Sequence, residues 1–139
     1  MRTEDFIAKN RLASDGISRT CASVCSDGHG NIYSYGYHYP LLVKVGNAHF
    51  VNDAGYSATT AKHIAYARRC GEYCYNYRFA ENGGHTKTDK ESIKKCVKNE
   101  ISENIVSIAN LSKRAFRQKA NLEARNEKLQ AGLDYIYSL

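Results

Sequence analysis

No stretch of this sequence approaches the roughly 18 consecutive apolar residues that a membrane-spanning helix needs, and the opening Met1-Arg2-Thr3-Glu4-Asp5-Phe6 lacks the apolar core of a secretory leader. Neither a membrane partner nor export is expected, and the host cell cytosol is the expected compartment. Cysteine is sparse and odd in number: five thiols cannot all pair with one another, and a reducing compartment would keep them as thiols. No motif of a known DNA- or RNA-reading fold is visible, which argues against sequence-specific recognition. No cofactor is expected. The sequence also lacks any strong bias: 42% hydrophobic and 24% charged residues argue against disorder and against a fibrous protein.

What is present fits one small domain, because 139 residues can bury about two thirds of the surface of the unfolded chain. The net charge is +6, which favours an acidic partner, a nucleic acid or an acidic protein face. The excess is spread along the chain. Residues 1–87 and 88–139 each carry ten Lys and Arg against seven Asp and Glu, so neither is a dedicated basic arm, and a merely solubilising surface accounts for the charge equally well.

The spacing of Phe6, Ile7 and Leu12 allows a short helix over residues 4–13, ended by Ser14-Asp15-Gly16. Residues 17–25 read as a strand, Asp27-Gly28-His29-Gly30-Asn31 as a hairpin turn, and Ile32-Tyr33-Ser34-Tyr35 as the returning strand. Pro40 cannot donate to a ladder and is expected to open the next strand, 41–45, which turns at Gly46-Asn47 into 49–51. Ser57 is placed to cap a helix over 58 to about 70, with Ala61, Ile64, Ala65 and Arg68 on one face. Alternation of Tyr73, Tyr75, Tyr77 and Phe79 predicts a half-buried strand over 72–79. Thr88 and Glu91 form a capping box, after which apolar residues from Ile93 to Ile136 recur three or four apart. That helical region is either one rod or two helices broken near Asn110-Leu111-Ser112. A continuous rod would bury its stripe only against a partner, most simply another copy of the chain. The expected fold is α+β: a small antiparallel sheet, one packed helix and a long C-terminal helical extension. Residues 1–87 form a Tyr-rich core and 88–139 a helical region of the same domain.

Chemistry-bearing residues concentrate between Ile32 and His63. The string Ser34-Tyr35-Gly36-Tyr37-His38-Tyr39-Pro40, then Asn52, then Tyr56-Ser57-Ala58-Thr59-Thr60-Ala61-Lys62-His63 resembles a family of small, largely uncharacterised proteins encoded by bacteriophages and prophages. The resemblance spans about thirty residues and implies an origin more than an activity. It implies a phage-type accessory protein that binds and inhibits host machinery, most simply an anti-defence, anti-CRISPR-like inhibitor of a host protein or ribonucleoprotein. The residues themselves leave an enzyme open. His38 as base, His63 as acid, and Lys62 with the helix-start amides around Thr60 holding a phosphate would make a metal-independent nuclease. The same cluster, with Tyr35, Tyr37, Tyr56 and Ser57, would also suit a protein that sequesters a nucleotide signal. Against both, alternating tyrosines are ordinary core or interface packing and Ser57 is explained by capping.

Two further constellations stand outside the cluster. Cys21, Cys25, Cys70 and Cys74 would supply four thiolates to zinc only if a local turn brought Cys21 and Cys25 together, so buried free thiols are the better reading and no metal is expected. Lys113-Arg114-Ala115-Phe116-Arg117-Gln118-Lys119 holds four cations and no acid, and Arg114, Arg117, Asn121, Arg125 and Lys128 fall on one side of a helix. Such a stripe fits a phosphate backbone or an acidic protein groove, with a solvated face as the plain alternative. Binding is favoured over catalysis, in a homo-oligomer.

Overall fold

A computed structural model describes residues 1–34, 39–54, 58–68, 74–79 and 90–139, together with the backbone but not the side chains at 58–60, 68 and 74. Helix α1 (Thr3–Asn10) precedes β1 (Arg19–Cys21), β2 (Val24–Ser26), β3 (Ile32–Ser34), β4 (Tyr39–Val45) and β5 (Ala48–Asn52). Then come α2 (Ala58–Arg68), β6 (Cys74–Tyr77), α3 (Lys90–Asn110) and α4 (Phe116–Tyr137). The strands form one sheet in chain order, antiparallel from β1 to β5 and parallel between β5 and β6. The α+β expectation holds. The parallel pair follows from α2, since a strand can return beside its predecessor in the same direction only through a crossover.

Three local features depart from the sequence reading. The expected strand over 17–25 is two strands, because the chain turns at Ala22-Ser23 with Ala22 in the left-handed region at φ 53. Pro40 does not open a strand but lies inside β4 opposite Tyr33. The register shifts between Ile32 and Tyr33, so Leu41 is an extra residue in β4, a bulge that accommodates a residue with no N–H to give. Both Leu41 and Leu42 consequently face the same core. The β2–β3 turn does form where Asp27-Gly28-His29-Gly30-Asn31 placed it: Asp27 Oδ1 accepts from the His29 and Asn31 amides at 2.8 and 3.3 Å. Gly28 at φ 77 is required there, since a Cβ would stand 2.3 Å from the Ile17 nitrogen.

The sheet is covered on both faces, rather than by one helix on a single face. On one side Phe6 and Ile7 of α1 and Ile64 and Ala67 of α2 pack with Val24, Ile32, Tyr39, Leu41, Leu42 and Val51. The inward face of α2 is thus built on His63, Ile64 and Ala67, whereas Ala61 is exposed. On the other side Val43, Val45, Phe50 and Tyr77 meet Ile93, Cys96 and Val97 of α3 and Leu129, Leu133 and Ile136 of α4. The C-terminal region is two helices, not one rod. Lys94 lies over Tyr137 while Asn104 bonds Asn126, so α3 and α4 run antiparallel. Each covers the other's stripe, which removes the reason the rod gave for a second copy. Ala115, the N-cap of α4, makes no side-chain cap bond, so Ser112 is not the N-cap; its carbonyl accepts from the Ala115 amide at 3.0 Å in the connecting turn. The expected Thr88 capping box lies outside the described residues.

Candidate functional site

Among the described residues, the most heavily bonded polar group sits where β5 and β6 end against the helical hairpin. Arg125 of α4 makes a two-pronged contact with Asp53, at 2.6 and 3.0 Å, and donates from Nε to Glu100 of α3 at 2.8 Å. Glu100 is 3% exposed and also accepts from the Arg78 amide at 3.0 Å, while the Arg78 guanidinium stands 3.7 Å away. Burial alone would lower the Arg125 pKa, but the hydrogen bonds it donates to Glu100 and Asp53 outweigh it and hold the group charged above its already high ordinary value. Both carboxylates are engaged by the Arg125 guanidinium. The cluster ties α3, α4 and the sheet together, and its donors are committed inside the fold. Arg125 therefore has a different partner from the one the basic-stripe reading assigned to it.

Asn52, the isolated member of the phage-like string, is likewise internal. Its Oδ1 accepts from the Ala54 and Phe79 amides at 3.1 and 3.0 Å, and the Tyr39 hydroxyl meets the carbonyls of Asn52 and Ala54. His63 is 5% exposed, and its Nδ1 lies 2.9 Å from the Oγ of fully buried Ser34. An imidazole so enclosed does not reach a phosphodiester in solvent. Lys62, one residue earlier, is exposed. His38, Tyr35, Tyr37, Tyr56, Ser57 and Cys70 lie outside the described residues, as do the side chains of Thr60 and Cys74, so the structure does not assemble the proposed phosphate cradle among the described residues.

Cys21 and Cys25 face opposite sides of the sheet: Cys21 is paired with Val24 across the turn and shares its face, and the next residue, Cys25, must point the other way. The local turn that zinc binding would need is present and sends the two thiols apart. Burial pushes the Cys25 thiol pKa up, with Asp27 adding to the effect. Among the described residues no group of three His, Cys, Asp or Glu side chains is placed to hold a metal.

Burial also lowers the pKa of the two buried imidazoles among the described residues, His63 and His49, the latter bonded to the Arg11 carbonyl at 3.2 Å. A histidine kept neutral in the fold but free to protonate at about 6.5 when unfolded costs stability as pH falls below that value, until its own lower pKa is passed. The urea midpoint should therefore drop between about pH 7 and pH 5, and the drop should vanish in a His49→Gln, His63→Gln variant. Asp15 does not contribute in this window, since the hydrogen bond from Arg19 and the Ile17 amide hold its carboxyl at about 2.

What remains outward-facing is the far end of the α3–α4 hairpin. The buried residues of α3 are Ile93, Cys96, Val97, Glu100 and Asn104, and those of α4 are Leu129, Gly132, Leu133 and Ile136. The segments nearest the connection contribute no buried residue and project beyond the sheet. Phe116 is 75% exposed there, with Ile105 and Val106 at 57% and 60%. Lys113, Arg114, Arg117, Lys119 and Asn121 are exposed in the same segment, and Lys128, about three turns further along α4, is exposed as well. Lys119 approaches Glu123 at 3.9 Å, whereas no carboxylate among the described residues pairs with Lys113, Arg114, Arg117 or Lys128. The first turn of α4 holds no acid, although negative charge is what the helix dipole favours there. Uncompensated cations thus gather at a positive helix end, an arrangement that an anionic partner would relieve.

The sequence reading missed Asp53 and Glu100, and one signal for the second was present: Ile93, Val97, Glu100 and Asn104 continue a four-three-four spacing, so Glu100 stands on the inward stripe. Compared with protein-family models, curated proteins and solved structures, the chain matches none of them.

Proposed function

We propose that this chain is a binding protein that inhibits host machinery, docking the basic end of its α3–α4 hairpin on an anionic surface of a host nucleoprotein. The observation that carries the reading is the projecting tip with Lys113, Arg114 and Arg117 exposed and unpaired among the described residues. A fold that commits Arg125 internally and leaves these neighbouring cations unpaired among the described residues offers an anion a cluster of positive charge there. The phage-like string supports an accessory, anti-defence role of the anti-CRISPR kind, acting in the host cytosol without chemistry of its own. The nuclease alternative needs His63 as an acid, and the enclosure of that ring against Ser34 weighs against it. Affinity capture of the tagged chain from a bacterial host at moderate salt should recover a stoichiometric ribonucleoprotein or nucleic-acid-binding protein. Recovery of the bare chain would contradict the reading for that host.

A further inference from the structure

We infer that the hairpin tip takes unpaired nucleic acid, with Phe116 stacking on a base while Lys113, Arg114 and Arg117 hold neighbouring phosphates. The inference rests on the docking role proposed above and names the component of the nucleoprotein that the tip touches. Phe116 is left 75% exposed next to Lys113, Arg114 and Arg117 in the chain, with Ile105 and Val106 the other exposed large apolar residues of this end. A stable protein interface buries about 800 Å² on each partner around an apolar centre, more than a two-helix end with one exposed ring and two exposed aliphatic side chains supplies. Single-stranded nucleic acid asks for less: a π-face for a base and cations at the spacing of the backbone, both of which stacking platforms supply without sequence readout. Charge complementarity agrees, since residues 104–122 contain four cations and no acid. A duplex would engage the cations alone, because its bases are already stacked, and would leave the ring unused.

Fluorescence anisotropy of the full chain with a short labelled oligothymidylate, a labelled duplex and labelled polyglutamate tests this. The single strand should bind most tightly, with log affinity falling against log salt at a slope of about −2 to −3, as expected for three or four phosphates. Phe116→Ala should weaken binding about tenfold with the salt slope unchanged, and the melting curve of that variant should match the parent because the ring is not in the core. Arg114→Glu with Arg117→Glu should abolish binding. Equal affinity for duplex or polyglutamate, or indifference to Phe116→Ala, would overturn the inference. Should the oligonucleotide fail to bind while the charge-reversed variant loses a host complex that the parent captures, this inference falls and the docking role stands. Phe116-dependent binding without any captured host complex would uphold the inference and contradict the docking role.

Discussion

Replacing Arg125 by Met should cost about 3–5 kcal/mol of unfolding free energy, the range observed when one partner of a buried ion pair is removed. The side chain is 22% exposed, but Glu100 is 3% and Asp53 13% exposed, so the deletion takes the guanidinium from two carboxylates that have little water to replace it, although Glu100 keeps the Arg78 amide. The Arg78 guanidinium, 57% exposed and 3.7 Å from Glu100, compensates only weakly. Urea denaturation measures the loss. Adding Glu100→Gln and Asp53→Asn to Arg125→Met should recover part of the stability, because the uncompensated charges are then gone. A single-variant loss below about 1 kcal/mol would show that the cluster behaves as a surface pair. The expected effect also governs how function is tested: an Arg125→Glu variant that lost its partner would be reporting a damaged fold, and charge reversal belongs at Arg114 and Arg117.

Phe50→Ala should be comparably severe, at about 3–5 kcal/mol. The ring is fully buried, lies 5.2 Å from the Tyr75 ring, 6.2 Å from Tyr77 and 6.4 Å from Tyr135, and joins the sheet to α4. Helix α4 passes so close that a Cβ on Gly132 would stand 3.1 Å from the Phe50 ring and 3.3 Å from Tyr75. Truncation therefore opens a void beneath a helix that the glycine has already drawn in, and the helix has little room to settle further. The Tyr135 hydroxyl pins the same helix to the β4–β5 turn, accepting from the Asn47 and Ala48 amides at 2.9 and 3.1 Å and donating to the Val45 carbonyl at 2.9 Å. Chemical denaturation of Phe50→Ala beside the milder Phe50→Leu reads the cost; equal losses in the two variants would mean that volume is not what the site demands.

Much of this architecture was legible because it rests on local patterns. The β4–β5 hairpin formed around Gly46-Asn47, the alternating aromatics gave β6, and the three-four spacing gave the C-terminal helices, since each pattern reports which face of one element is buried. What escaped depended on partners distant in sequence. Nothing near Ala22 announces a turn, because the chain adopts a left-handed residue without Gly or Asn to mark it. The bulge at Leu41 follows from Pro40 meeting Tyr33 in the ladder, and the inward face of α2 from the sheet it meets rather than from its own weak periodicity. Arg125 reads as one more cation on a helical stripe until Asp53, 72 residues earlier, and Glu100, 25 residues earlier, are brought against it. The exposed tip was half visible: its cations stood out in sequence with Phe116 among them, whereas the exposure of that ring is a property of the hairpin's end and not of the local pattern.

On the proposed function, the cationic tip is the working surface, and neither the Arg125 cluster nor the His63 region is. Side-by-side affinity capture from the same host, using the parent chain, Arg114→Glu with Arg117→Glu, and Lys62→Glu as an exposed control on α2, tests it most directly. The parent and the control should recover the same host complex, and the tip variant, folded with an unchanged melting curve, should recover none. Retention of the complex by the tip variant, or its loss in the Lys62→Glu control, would contradict it.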